Sequence, residues 1–162
     1  MRLSEGVEWA LHCTTVLALV PSAMAMPGGR LAEFHGVPPA YLAKALQALS
    51  RAEIVESVAG RRGGYRLARP ASDITLLDVV LAVDGDEPAF RCTEIRRRGP
   101  AAVPARHYRH ACSIAAAMWR AEEAWRAELA ATSVADLLGR LAHTVSPESA
   151  SKAATWMQEV LS

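Results

Sequence analysis

No stretch of roughly 20 apolar residues, the length a membrane-spanning helix requires, occurs in this sequence. Its first apolar segment, ALHCTTVLALVPSAMAM, is interrupted by His12 and Pro21. It also lacks a basic run followed by a clean apolar core, so it does not read as a signal peptide. Cysteine is scarce, with three in 162 residues. A cytoplasmic protein without a membrane partner is expected, and there cysteines point to metal or redox chemistry more than to structural disulfides. Also missing are a phosphate-binding loop, a Ser/His/Asp arrangement and paired carboxylates in a recognisable setting. No enzyme and no small-molecule substrate is therefore expected. Internal repeats and low-complexity runs are absent too. Charge of neither sign dominates, with 18 basic residues against 17 acidic ones.

The balanced total hides local segregation. Segment 27–70 carries seven Lys/Arg against three Glu, segment 71–88 five acids and no base, and segment 91–110 six Arg against one Glu. Basic patches of this kind steer anionic partners. Hydrophobic residues make up 51% of the chain, enough for a packed core.

Residues 4–20 read as a first helix, with Val7, Ala10, Leu11 and Leu17 on one face and Glu5 and Glu8 in the N-terminal turn. After Pro27-Gly28-Gly29, a short helix ends at His35 with Gly36 as its C-cap. Pro39 opens a second helix running to about Ala52. Leu42, Leu46 and Leu49 face inward there, while Tyr41, Lys44, Gln47 and Arg51 face out. Two short helices joined by a tight Gly-containing turn make a helix-turn-helix. IVESVA, GRRGGY and YRLAR then supply a strand, a glycine-rich tip and a returning strand. The fold class expected is mainly α, a winged helix-turn-helix with a small β-hairpin wing and a long dimerisation helix. A protein–protein adaptor module is the bland alternative. Basic side chains on both the helix face and the wing tip favour double-stranded DNA. Lys44 and Gln47 suit base edges in the major groove, Tyr41 a phosphate or a thymine methyl, and Arg61 and Arg62 the minor groove.

Thr75-x-x-Asp78 and Ser133-x-x-Asp136 are capping-box patterns, and Ser146-Pro147-Glu148 opens a last helix. A long helix runs from about Ser113 to Ala131. Ile114, Met118, Ala121, Trp125 and Leu129 form a stripe on it, with Trp119 nearby. The stripe reads as intramolecular core or as a homodimer seam, and its length favours the seam. Three parts are expected: 1–84 for DNA binding, 85–112 as a cysteine loop, and 113–162 as a helical dimerisation region.

Cys13 lies on an apolar helix and reads as a buried filler. Cys92 and Cys112 lie instead among Arg, Pro and His. They are open to three readings: a regulatory disulfide, a zinc site with His107 and His110, or half of a larger metal site.

SEGVEWALH, LAEFHGVPPAYLAKALQALSRAEIVES and GRRGGYRLARPASDITLLDVVLAVDG resemble the bacterial winged-helix regulators that carry iron–sulfur clusters, the IscR and NsrR kind. The resemblance covers about residues 1–145. Most cluster-binding members place three cysteines before the long helix, and this chain has two. GVEW, LAE-x-H and F-x-CTEIR-x-RGP are similar to the RsrR-like members. That resemblance implies a [2Fe–2S] cluster held by Glu8, His35, Cys92 and Cys112, with the two kinds of ligand coming from different subunits of a homodimer. A one-His, one-Glu, two-Cys set departs from the usual four thiolates in the direction of the known two-His type. Pro38 stands where many relatives have a capping serine. Trp9, beside Glu8, is a candidate redox-responsive neighbour. The implied function is a transcription regulator, of repressor type, whose operator affinity follows the cluster. A zinc- or thiol-controlled regulator without iron is the alternative, and a ligand-binding regulator a third.

Overall fold

Glu5 and Glu8 occupy the first turn of α1 (Glu5–Leu17), where the positive end of the helix dipole favours carboxylates. The computed structural model describes residues 3–162. Helix α1 is shorter than its apolar periodicity predicts. Leu19 and Val20 donate to the carbonyls three residues back, tightening the end into a turn. Pro21 disfavours helical backbone at the residue before it, so the chain leaves the helix there.

Helix α2 (Gly28–His35) stops at Gly36, which takes the left-handed conformation at φ 64°. The Val37 N–H then reaches back to the Ala32 carbonyl at 3.0 Å, closing the helix end. Helix α3 (Pro39–Arg51) starts without a side-chain cap, because Pro38 has no hydroxyl to offer. Pro39 at the first helical position compensates with its preset φ. Leu42, Ala45, Leu46, Ala48 and Leu49 are buried along α3, and Tyr41, Lys44, Gln47 and Arg51 are exposed, as the period requires.

Strands β1 (Val55–Val58) and β2 (Gly64–Leu67) form the antiparallel wing, with Glu56 opposite Arg66 and Val58 opposite Gly64. The wing is anchored to the linker before α2. Met26 and Tyr65 exchange backbone hydrogen bonds of 2.9 and 2.8 Å. Gly64 permits this approach: a Cβ there would lie 2.3 Å from the Met26 backbone, and its φ is +155°.

Both capping boxes form, at Thr75/Asp78 for α4 (Leu76–Asp84) and at Ser133/Asp136 for α6 (Val134–Thr144). Helix α5 (Ser113–Ala130) stands between them, and α7 (Pro147–Leu161) follows, capped by Ser146. The core gathers Ala10, Cys13 and Leu17 of α1, Leu31 of α2, Leu42, Leu46 and Leu49 of α3, Ile54, Ile74, and Val79 of α4. The chain returns to this core after α5. The Leu76 N–H donates to the Thr132 carbonyl, the Val134 N–H donates to the Ile74 carbonyl, and Val134 is fully buried. Trp156, Met157, Val160 and Leu161 of α7 pack against the same core.

Helix α5 differs. Ala115 is its one buried residue among those described, while Ile114, Met118 and Trp119 are 67%, 43% and 46% exposed. Trp125 and Leu129 are half-buried. Most of the apolar stripe therefore has no cover within the chain. No described helix is long and apolar enough to cross a membrane.

Candidate cluster half-sites and nucleic-acid interface

The loop between α4 and α5 is organised around Arg96. Its guanidinium binds the Glu94 carboxylate through two contacts, of 2.5 and 2.9 Å, and donates to the His110 carbonyl at 3.1 Å. Tyr108 lies under it, 5.3 Å from guanidinium to ring centroid, and its hydroxyl donates to the Arg96 carbonyl at 2.6 Å. Glu94 adopts a left-handed backbone at φ 49°, ψ 52°. For a residue with a Cβ this costs on the order of 1 kcal/mol. The turn brings the Glu94 N–H to 3.4 Å from Cys92 Sγ. The loop is tied to α5 at its start: the Ala89 N–H donates to Glu122, and Arg126 bridges Glu122 and Asp86.

Cys92 and Cys112 are half-buried free thiols. The hydrogen bond to Glu94 is the main reason the Arg96 guanidinium is held above its usual range, and the charge of Cys112 and Cys92 adds least. Cys112 is the residue preceding α5, and the backbone N–H groups of Ala115 and Ile114 hold its thiol below the usual range, with Arg96 adding to the effect. Cys13 is the opposite case: burial pushes its thiol up to about 12.

Glu8 is exposed on α1, one turn before His12. The His12 ring lies 5.6 Å from that of His35, at the end of α2. His35 is half-buried, and its Nε2 is buried without a hydrogen-bond partner. Burial and, secondly, the nearby His12 charge keep its pKa below the ordinary 6.5, so the ring is neutral at neutral pH. A neutral imidazole short of one partner is an available metal donor.

Among the described residues, no three His, Cys, Asp or Glu side chains converge as a metal cage requires. The zinc set of Cys92, His107, His110 and Cys112 is thus not assembled. Both histidines are exposed, and His110 engages Arg96 through its carbonyl. Glu8, His35, Cys92 and Cys112 are likewise not joined in one chain. They fall into two pairs, one on α1 and α2 and one on the Arg96 loop.

The DNA-reading candidates lie on the outer face of α3 and at the turn of the wing. Tyr41 is 59% exposed, and Lys44, Gln47 and Arg51 are exposed along α3. Arg61 and Arg62 are exposed at the wing turn. The remaining arginines of the basic segment are engaged elsewhere: Arg30 with Glu33, Arg66 with Glu56, and Arg69 with Asp78. The Lys44 ammonium sits 5.4 Å above the Tyr41 ring, and Trp9 meets that ring from the other element.

A family model described as Rrf2, iron-dependent transcriptional regulator, matches residues 3–140. The chain belongs to the Rrf2 family. It is a family of DNA-binding transcriptional regulators and not of enzymes. A Mycobacterium tuberculosis protein named as an HTH-type transcriptional regulator is 33% identical over 140 residues, covering 86% of this chain and 82% of its own. The IscR regulator of Vibrio atlanticus is 34% identical over 92 residues, covering 57% of this chain and 53% of its own. Among solved structures, CymR of B. subtilis, a global cysteine regulator, superposes with a TM-score of 0.69 at 20% identity, covering 86% of this chain and 98% of that one. IscR of T. potens gives 0.67 at 20% identity, covering 90% and 92%. At these identities the structural likeness speaks for the winged-helix fold.

Within this Rrf2 chain, sequence reasoning missed Arg96, Glu94 and Tyr108 as the scaffold of the cysteine loop. An Arg two residues after a Glu, in EIR, was a visible signal, but nothing ranked it above the other five arginines of the loop. His12 as the neighbour of His35 was also missed, because the contact joins two helices.

Proposed function

We propose that this chain is a homodimeric Rrf2 transcription regulator of the RsrR-like kind, acting in the cytoplasm as a repressor whose operator affinity follows a [2Fe–2S] cluster. In this reading residues 1–84 bind DNA, 85–112 hold the cysteine half-site and 113–162 contribute to dimerisation. What supports it is the placement of four suitable donors in two regions of one chain. Glu8 and the partner-short His35 lie on α1 and α2, and Cys92 and Cys112 lie around Arg96. A second copy completes each set. The uncovered stripe of Ile114, Met118 and Trp119 on α5 supplies an apolar surface for that copy.

When bound, a [2Fe–2S] cluster supplies one-electron redox chemistry. The protein's own part is to present two thiolates, a carboxylate and a neutral imidazole. The N-terminal amides of α5 favour the Cys112 thiolate. Burial favours the neutral His35 ring. Tyr41, Lys44, Gln47 and Arg51 face the major groove, and Arg61 and Arg62 the flanking minor groove. With three anionic ligands the loaded site would be negatively charged, and that charge would act on α1 and α2, the elements packed against α3.

The test is anaerobic purification with iron and sulfide analysis, followed by operator binding of oxidised, reduced and cluster-free protein. Equal iron and sulfide, colour lost in Cys92→Ala and Cys112→Ala, and unequal operator affinities support the reading. Equal affinity in all three states removes the sensor. A colourless protein whose DNA affinity still changes with thiol oxidation establishes the second reading, thiol control, which the lowered Cys112 thiol favours.

A further inference from the structure

Helix α7 lies beyond the 3–140 region matched by the family, yet it is docked on the DNA-binding elements. The Trp156 ring packs on Phe34 of α2 at a tilt of 52°, 4.9 Å between centroids, and the Arg30 guanidinium covers Trp156 at 5.4 Å. Phe34 in turn meets His35 edge-on at 5.0 Å. One turn further along, Val160 and Leu161 pack against the core. The end of α7 reaches the wing. Arg62 donates through Nη2 to the Ser162 carbonyl at 3.1 Å, and Arg61, Arg62 and Arg66 line a pocket with Val160, Leu161 and Ser162.

The last carbonyls of a helix have no partners within it and carry the negative end of its dipole. At α7 that end faces the wing arginines. DNA offers the same arginines phosphate oxygens and the negative potential of the minor groove. Arg66 is already held by Glu56 and the Ser22 carbonyl, so the contest concerns Arg61 and Arg62.

We propose that α7 is an autoinhibitory strap: its C-terminal carbonyl end occupies wing-tip Arg62, and DNA must displace it to engage that arginine. The strap is built to let go. A helix of α7's length is marginal in water by itself, so it is helical only while docked. Its hold rests on a single packed indole and a few half-buried aliphatic side chains. It also grips α2 through Phe34, the neighbour of His35, so a shift of α2 changes its seat.

This rests on the reading that the wing contacts DNA, and the experiment separates the two. The intact protein and its Trp156→Ser and Trp156→Phe variants are titrated, with and without Arg62→Ala, against a labelled mixed-sequence duplex over a range of salt. Releasing the strap with Trp156→Ser should tighten binding at low salt at least about threefold and steepen the salt slope by about 0.9, the signature of one added phosphate contact. Trp156→Phe, which keeps an aromatic ring against Phe34, should behave as the parent. Arg62→Ala should cost more in the Trp156→Ser background than in the intact chain. An equal cost in both backgrounds, with no change in slope, overturns the strap. No cost in either background overturns the wing contact itself. Trypsin cleavage after Lys152, on the exposed side of α7, gives a readout in the unmutated protein. Saturating duplex should accelerate that cut if the strap is displaced, and a cut that is unchanged or slowed overturns the proposal even if Trp156→Ser fails to fold.

Discussion

The indole of Trp9 meets the phenol ring of Tyr41 edge-on, with 6.3 Å between ring centroids. Trp9 follows Glu8 on α1, and Tyr41 stands in the first turn of α3, with the Lys44 ammonium over its ring. One aromatic contact thus separates a proposed cluster ligand from two proposed DNA-reading side chains. The groove beside it, lined by Glu5, Trp9, Tyr41, Lys44 and Arg51, leaves the indole room to change its packing.

Trp9→Ala removes this contact while leaving all four proposed ligands in place. The variant should keep its colour, lose about 3 kcal/mol of stability as a half-buried aromatic truncation, and show a smaller ratio between operator affinities in the two redox states. Anisotropy titrations in both states measure the ratio. An unchanged ratio excludes Trp9 from the coupling.

Two of the three thiols should react in a defined order in cluster-free protein, since the thiolate is the nucleophile. Cys112, held low by the α5 amides, should be alkylated by iodoacetamide at pH 7.5 well before Cys13, whose thiol is buried and pushed up to about 12. Peptide mass spectrometry over a time course reads the order. Equal rates for the two would contradict the helix-end geometry.

His35 makes the cluster-free protein sensitive to acid. Its folded pKa lies below the ordinary 6.5, so the unfolded chain binds its proton more readily. The stabilisation is complete above the unfolded value and is lost as pH falls through 6.5 toward the folded value. The melting temperature should therefore drop between pH 7.5 and pH 5.5, and His35→Gln should flatten that drop. A drop of the same size in His35→Gln would assign the acid sensitivity to other groups.

Gly64→Ala should be among the most damaging single-methyl additions. A Cβ at this position would stand 2.3 Å from Met26 backbone atoms, and the φ of +155° disfavours any L side chain. A loss of at least about 2 kcal/mol is expected, with weaker DNA binding because the wing loses its anchor. Gly29→Ala, whose Cβ meets nothing within 4 Å, serves as the control. Chemical denaturation of the two variants makes the comparison.

Much of the fold was legible in the sequence because it depends on local rules. Both capping boxes, the Gly36 helix stop, the Pro39 helix start and the burial of Leu42, Leu46 and Leu49 follow from residues within a few positions of each other. The exposure of Tyr41, Lys44, Gln47 and Arg51 follows from the same period. The end of α1 was less legible, since apolar periodicity continues past Leu17 while Pro21 acts on the backbone. For the candidate site, the motifs singled out Glu8, His35, Cys92 and Cys112, but not what surrounds them.

The sequence by itself determined where most helices begin and end, the end of α1 excepted, which faces are apolar, and that basic side chains sit on one helix face and one hairpin tip. Those are properties of short windows, governed by backbone preference and side-chain period. Tertiary structure alone decided the rest. It made Arg96, out of six loop arginines, the one that holds Glu94 and the His110 carbonyl, because the left-handed turn at Glu94 and the Tyr108 hydroxyl help to fix the loop's path. It set His12 against His35 and Trp9 against Tyr41, contacts between helices that no window spans. It also laid α7 across α2 and the wing, because packing Trp156 on Phe34 depends on where more than a hundred intervening residues return the chain.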